Sequence, residues 1–321
     1  MRDHRYVIGQ GGSGRAIQQY LINQNYPGLL DASNTLVSYP DAFTVSPGVS
    51  DCGLLNRYYG TPEGSALTAE QRTAVNGHGT PLFCAAWAAT FLPLASPTVG
   101  CHSSIPAEAI YDPNENPTGV RCTLQDSLAN LLPRSADTGH VASHVDNVGI
   151  EYGRDALVAS VISVDQFLEL NERIGSYQPD GEILDGRRAA DPAVVEHVYA
   201  TGRVNQGGGS NRTVPTIDND LYSDFAFDIH DRFRTFSIRE RHRLANSETA
   251  GNRVIWTQPG GNLLVSLGGT QNDLDPVAAV ATLAEWLEAL EEAGGGPTTR
   301  GDGVDPTPHP QLAAHTRGLA G

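Results

Sequence analysis

The chain has 321 residues, of which 18% are charged and 39% hydrophobic, as is typical of a globular protein. Its net charge is −16 and all 21 basic residues are arginine, so it lacks the basic face that nucleic acids and anionic membranes require. No apolar run approaches the ~20 residues of a membrane span. We therefore expect neither nucleic acid nor a membrane as a partner.

The chain opens with the pattern strand, helix, strand. Residues 5–9 form a short apolar run that predicts a buried strand, and residues 14–25 carry apolar side chains at helical spacing. Pro27 and Gly28 end this helix, and residues 34–39 predict the next strand. The order strand, helix, strand within about 35 residues is typical of a parallel sheet.

From about residue 60 to about residue 210, long polar loops alternate with helices. Four helices are predicted there, over residues 81–91, 153–160, 164–174 and 192–201. Ser163 precedes the third of them and is its expected N-cap. The glycine-rich run 207–210 marks the end of this segment, which we interpret as a mostly helical insert.

Sheet elements return after the insert. Residues 213–218 and 253–256 predict two strands, and residues 228–246 predict a long helix between them. An amphipathic helix over 275–292 has one apolar stripe, which is typical of a surface helix that covers a sheet. Residues 294–321 are rich in Gly, Pro and Thr and predict a disordered tail.

The turn between the first strand and the first helix is a glycine cluster around Ser13. A serine held on a tight strand-to-helix turn is how α/β-hydrolases expose a nucleophile. Glycine at positions 11 and 14 lets the helix pack close to the strand, and the Gly14 N–H can stabilise an oxyanion. The usual pattern continues with a glycine where this chain has Arg15. The alternative is a phosphate-binding loop, which the lack of lysine and of GxxxxGK spacing disfavours.

A serine nucleophile also needs a base and an acid that orients the base. In α/β-hydrolases the acid follows the serine in the chain and lies just after a strand. Asp218 ends a predicted strand and is the preferred acid, while Asp220 and Asp224 are rivals in the same loop. Asp51 follows the strand after the serine turn and is an alternative acid. Its non-catalytic role would be the N-cap of a helix over 53–59.

The histidine of such a triad normally follows the last strand. That position is empty here, because no histidine occurs after residue 256 until His309 in the tail. His230, near the start of the helix predicted over 228–246, is therefore the expected general base, and the flanking Asp228 and Asp231 could orient the ring. The alternative is a histidine that only bonds nearby carboxylates. Weaker candidates for the base lie in the insert: His78, His102, His140 and His144.

The four cysteines, Cys52, Cys84, Cys101 and Cys122, form no CxxC pair, which argues against zinc and thioredoxin-type chemistry. An even number is consistent with two disulfides in any of three pairings. Pairing the last two would close a loop around residues 111–114, and pairing the first two would join the region after the serine turn to the next helix. Four buried free thiols are the alternative. Disulfides would imply export.

We expect no metal and no cofactor. Residues 112–116 place oxygen ligands at alternate positions, as calcium loops do. Pro117 stands where such a loop needs glycine, however, and no glutamate follows at the twelfth position. A turn built from Pro and Asn is therefore the favoured interpretation.

Motifs spread over nearly the whole chain carry a resemblance to a known family. They are the stretches 11–14, 18–20, 24–31, 38–41, 51–52, 111–113, 116–122, 146–149 and 228–233. In them the chain resembles a little-characterised family of bacterial secreted α/β-hydrolase-like proteins, a domain of unknown function. More distantly it is similar to tannases, feruloyl esterases and 3-hydroxybutyrate-oligomer hydrolases, which act on carboxylic esters. The resemblance implies export, disulfides and a serine-based esterase mechanism with a small-molecule or oligomeric ester as substrate.

These patterns together predict an α/β fold: the C-terminal half of a mainly parallel α/β-hydrolase sheet with a large helical cap insert. The predicted parts are the serine-turn part of the core (1–60), the cap (61–210), the C-terminal part of the core (211–293) and the tail (294–321). One predicted strand precedes Ser13, whereas the nucleophile of this fold follows the fifth strand. We therefore expect a truncated hydrolase with a missing N-terminal half.

The family resemblance implies that full-length relatives carry a signal peptide and are secreted or periplasmic. This chain begins Met1–Arg5 without an apolar segment, so no signal peptide is expected in it. The predicted function is serine-dependent hydrolysis of a carboxylic ester through an acyl-enzyme. The alternative is a non-catalytic hydrolase-fold fragment that binds a ligand.

Overall fold

The chain divides into two compact units in the computed structural model. One, here called the core unit, comprises residues 1–42 and 202–321; the other, the helical unit, comprises residues 43–201. The divisions fall before residue 43 and after residue 201, whereas the predicted divisions fall after residues 60 and 210. The structure describes residues 5–97, 99–177, 183–222, 230–247, 250–259 and 275–294, and the predicted tail lies outside these ranges apart from residue 294.

The strands and helices are numbered in chain order. The strands are β1 (Ile8–Gly12), β2 (Ala32–Leu36), β3 (Ser176–Tyr177), β4 (Ile183–Leu184), β5 (Thr216–Tyr222) and β6 (Arg253–Pro259). The α-helices are α1 (Gly14–Asn25), α2 (Ala42–Tyr59), α3 (Pro62–Ser65), α4 (Ala69–Asn76), α5 (Phe83–Phe91), α6 (Arg154–Val158), α7 (Val164–Arg173), α8 (Pro192–Ala200), α9 (Arg232–Ala245) and α10 (Pro276–Glu292).

The core unit is built on a parallel sheet with strand order β1-β2-β5-β6. This confirms the predicted α/β class and is compatible with an α/β-hydrolase-like fold. The first strand covers Ile8–Gly12 rather than 5–9, because the backbone of Gly9, Gly11 and Gly12 continues the ladder with β2. The carboxyl ends of β1 and β2 therefore lie at one edge of the sheet, directly before Ser13 and Val37.

Helices cover both faces of this sheet. On one face, α10 buries Ala279, Leu283, Trp286 and Leu287 against Ala32 and Ile217 of the strands. On the other face, Ala16 and Tyr20 of α1 cluster with Ile238 of α9. Since successive strand residues point to opposite faces, Ile217 meets α10 while its neighbour Asp218 meets α1.

The helical unit contains both disulfides, Cys52–Cys84 and Cys101–Cys122, which confirms the predicted bridges and decides their pairing. Ser163 caps α7 as predicted and forms a reciprocal capping box with Gln166. In the part of the chain that the structure describes, no helix is long and apolar enough to cross a membrane.

Two sequence interpretations in the helical unit have different outcomes. Residues 112–116 form a turn in which the Asp112 carboxylate accepts the amides of Asn114 and Glu115, both at 2.8 Å, as favoured above. The proposed helix over 53–59 is wrong in its start, because α2 begins at Ala42 and continues through Pro47. Asp51 therefore lies inside this helix and does not cap it.

Candidate functional site

Ser13 is the single residue between β1 and α1. Its backbone has φ 52° and ψ −118°, a conformation that non-glycine residues adopt rarely and at a cost of about 1–3 kcal/mol. The Ser13 N–H donates to the Leu36 carbonyl at 3.0 Å, and the Ser13 carbonyl accepts the amides of Ala16 and Ile17. Its hydroxyl makes no capping bond to the helix. The turn therefore holds Ser13 in strain and leaves its side chain free of a helix-capping role.

The glycines beside Ser13 differ in what they do. A Cβ atom on Gly11 would lie 2.5 Å from the Cβ of Arg15, and one on Gly12 would lie 3.3 Å from the Leu36 carbonyl oxygen. Gly11 is thus required for the close approach of α1 to β1, as predicted. Gly14 is not, because a Cβ there would meet no described atom within 4 Å. The Gly14 N–H belongs to the first helical turn, where amides have no partner within the helix.

A pocket of about 340 Å³ opens at the carboxyl ends of β1 and β2. The described residues that line it are 10–13, Arg15, Leu36, Val37 and His230. We call it the Ser13 pocket. It brings together Ser13 and His230, the predicted nucleophile and base. Ligands of open parallel sheets bind at this edge. Val37 has φ 40°, so two residues in a rare backbone conformation line one pocket, and such residues cluster at functional sites.

His230 precedes helix α9 rather than lying in its first turn, because the described helix begins at Arg232. Its half-buried ring packs against Tyr39, with the ring centroids 5.2 Å apart. Asp231, beside it, occupies the N-cap position of α9 and pairs with Arg234 at 3.6 Å. The loop from Tyr39 and the start of α9 thus position the imidazole beside the Ser13 pocket.

Asp218, the preferred acid, lies in a different environment. Its carboxylate forms an ion pair with Arg253, and both side chains are only 1% exposed. The Tyr20 hydroxyl donates to the same carboxylate at 2.5 Å, and the Thr35 hydroxyl also donates to it. Asp218 is not among the described residues that line the Ser13 pocket. The structure therefore brings Ser13 and His230 together but places Asp218 between the sheet and α1.

The Asp218–Arg253 pair continues into a buried polar network that the sequence reasoning missed. Arg253 Nη1 donates to Nδ1 of His242 at 3.0 Å, and Nε2 of His242 lies 3.3 Å from the Asn205 side-chain oxygen. Burial and the neighbouring Arg253 charge hold the pKa of His242 well below its usual value, so the imidazole is neutral. An arginine at the start of a predicted sheet strand was the available signal, since such a residue needs an anionic partner if it is buried.

Asp220 lies two residues further along β5 on the same face as Asp218. It is 1% exposed, and the Thr235 hydroxyl of α9 donates to its carboxylate at 2.5 Å. Burial raises the pKa of Asp220 to about 7, the Thr235 bond lowers it in part, and the charges of Asp218 and Asp231 raise it further. The third rival, Asp224, lies outside the described residues.

Asp51 belongs to the helical unit, where the Tyr152 hydroxyl donates to its carboxylate at 2.5 Å and burial raises its pKa to about 6. The four weaker histidine candidates also belong to the helical unit. Three of them, His78, His140 and His144, pack against aromatic rings, and His102 bonds the Ser104 hydroxyl.

Comparison with known proteins adds one family. Residues 3–308 match the family described as "tannase-like family of unknown function (DUF6351)". Neither a curated protein nor a solved structure matches the chain. The match extends over both compact units, the parallel sheet and the Ser13 turn, and it agrees with the resemblance seen in the sequence motifs. The chain belongs to this tannase-like family.

Proposed function

We propose that the protein hydrolyses carboxylic esters, with Ser13 as nucleophile and His230 as general base. One observation carries the proposal: the strained Ser13 turn and the His230 ring line the same pocket at the carboxyl ends of parallel strands. Membership of a tannase-like family supports an ester as the substrate, either a small molecule or an oligomer.

The mechanism follows from these positions. His230 takes the proton of the Ser13 hydroxyl as its oxygen attacks the ester carbonyl. The Gly14 N–H, at the amino end of α1, donates to the oxyanion that develops. His230 then returns the proton to the leaving alcohol oxygen, which leaves an acyl group on Ser13. Water, deprotonated by His230, attacks this acyl-enzyme and releases the carboxylic acid.

For the acid that orients His230, we propose Asp220 in place of Asp218. The Asp218 carboxylate is already held by Arg253, Tyr20 and Thr35. Asp220 accepts a hydrogen bond from Thr235, five residues after His230. The charge of Asp231, directly beside His230, contributes to the raised pKa of Asp220. Asp220 is thus the buried carboxylate of β5 that lies against the segment following the histidine.

We also propose that the protein works outside the cytosol. Both disulfides bridge cysteines within the helical unit, and such bonds persist in oxidising compartments. The cap role of the helical unit remains a proposal as well. It can be tested by deleting residues 43–201, the whole helical unit, and asking whether the remaining chain still hydrolyses a short ester.

The test of the catalytic proposal is turnover of 4-nitrophenyl butyrate by the full chain. Ser13→Ala and His230→Ala should each lower kcat about 10⁴-fold or more, because nucleophile and base act as a unit. The control is His102→Ala, which removes an exposed histidine of the helical unit and should leave kcat unchanged. Far-ultraviolet circular dichroism must show the same fold in all variants. Equal turnover by wild type and Ser13→Ala would refute the assignment.

A further inference from the structure

Arg15 is the position at which this chain departs from the glycine expected after the serine turn, and its side chain lines the Ser13 pocket. Apart from Arg15 and His230, the described lining residues are apolar or uncharged. Among the ion pairs of the described residues, none involves Arg15, and its side chain is exposed. A guanidinium therefore stands at the pocket with its five N–H donors available to a ligand.

The helix geometry directs the stem of Arg15 toward the amino end of α1. Side chains of an α-helix point toward its amino end, and the stem of Arg15 follows this rule by lying over Gly11. A Cβ on Gly11 would be 2.5 Å from the Cβ of Arg15 and 3.2 Å from its Cδ. The stem thus lies over Gly11, the last residue but one of β1. Gly11 is the residue that makes room for it.

We propose that Arg15 selects esters that carry a free carboxylate near the scissile carbonyl. This inference rests on the proposed esterase function. A guanidinium pairs with a carboxylate through two parallel hydrogen bonds, and the positive end of the α1 dipole lies at the same place. The chain as a whole carries a net charge of −16, which repels anions, so binding an anionic ester requires a local cation. Arg15 supplies it.

The test compares two esters that differ only in a terminal carboxylate: mono-4-nitrophenyl adipate and 4-nitrophenyl hexanoate. Wild type should show a higher kcat/KM for the adipate ester. Arg15→Gln should lower the ratio of adipate to hexanoate kcat/KM about ten- to hundredfold, as expected for loss of a charged hydrogen bond. Arg15→Lys should keep part of the ratio. The matched control is Arg212→Gln, an exposed arginine of the core unit outside the pocket, which should leave the ratio unchanged.

An unchanged ratio in Arg15→Gln, or a wild-type preference for hexanoate, would overturn the inference. Calorimetric titration with adipate keeps this result separate from a failure of the proposed function. If wild type hydrolyses neither ester but binds adipate, and Arg15→Gln binds it at least tenfold more weakly, the anion site stands and the esterase assignment falls. If wild type and Arg15→Gln bind adipate equally, or neither binds it, the anion site is refuted.

Discussion

The carboxylate of Asp218 and the guanidinium of Arg253 form an ion pair between the sheet and α1, and each side chain is 1% exposed. Arg253 contacts the Asp218 carboxylate through two of its nitrogens, Nε and Nη2. Burial alone would lower the pKa of Arg253, but the charge of Asp218 and the hydrogen bonds to Tyr20 and Asp218 outweigh it and raise that pKa. Arg253 is therefore charged at neutral pH, and its buried charge depends on Asp218 as its partner.

Removing one charge of this pair should be more damaging than removing both. Arg253→Gln leaves a buried carboxylate without its counter-ion and should lower the free energy of unfolding by about 3–5 kcal/mol in urea denaturation. The double variant Asp218→Asn, Arg253→Gln keeps the hydrogen bonds to Tyr20 and Thr35 and should recover most of this loss. A double variant as unstable as the single one would contradict a simple ion pair. Ester hydrolysis by the folded double variant would exclude Asp218 as the triad acid.

The strained backbone of Ser13 makes a prediction about stability that is independent of activity. Glycine tolerates φ 52° without steric cost, whereas alanine does not. Ser13→Gly should therefore unfold with a free energy about 1 kcal/mol higher than Ser13→Ala. At Ser237, inside α9, the order should be reversed by about the same amount, because glycine disfavours a helix interior. If the alanine variant were more stable than the glycine variant at both positions, the Ser13 turn would not be strained.

Asp220 should make the stability of the core unit depend on pH. Burial raises its pKa to about 7, above the unfolded value of 3.8, so the folded state retains a proton that the unfolded state has released. The stabilisation is complete below pH ~4 and is lost as the pH rises through ~7. It amounts to on the order of 4 kcal/mol.

The difference between wild type and Asp220→Asn isolates this effect, since asparagine does not titrate. Between pH 4 and pH 8, the free energy of unfolding of wild type should fall relative to that of the variant. The control is Asp155→Asn, which changes an exposed carboxylate in the helical unit. Its free energy of unfolding should follow that of wild type in parallel over this pH range. Parallel curves for wild type and Asp220→Asn would mean that Asp220 is ionised throughout.

The two disulfides should stabilise the protein by restricting its unfolded chain. Cys101 and Cys122 are 21 residues apart, a separation for which loop closure predicts about 3 kcal/mol. The variant Cys101→Ala, Cys122→Ala should lose about this amount in urea denaturation without reductant. Thiol titration of the unfolded, non-reduced wild type should find no free thiol. Detection of free thiols in the unfolded, non-reduced protein would contradict the presence of two disulfides.

Local sequence patterns predicted those features whose cause lies within a few residues. Helix α1 spans 14–25 as expected, because Ser13 and the Pro27–Gly28 pair bound its apolar spacing. The capping box at Ser163 and the start of α10 directly after its N-cap Asp275 follow from side-chain bonds to the first turn of each helix. The glycine cluster likewise indicated the strained turn at Ser13.

Non-local contacts decided the rest. The sequence placed Asp218 at the end of a strand predicted over 213–218, whereas β5 runs from Thr216 to Tyr222, and it could not show that Arg253, thirty-five residues later, would hold this carboxylate. It also could not show that His230 would line the Ser13 pocket, since more than two hundred residues separate His230 from Ser13. Periodicity and capping act through bonds between near neighbours in the chain. The register of β2, β5 and β6 and the packing of α1 and α9 on them exist only in the folded chain, and they determine which charges meet.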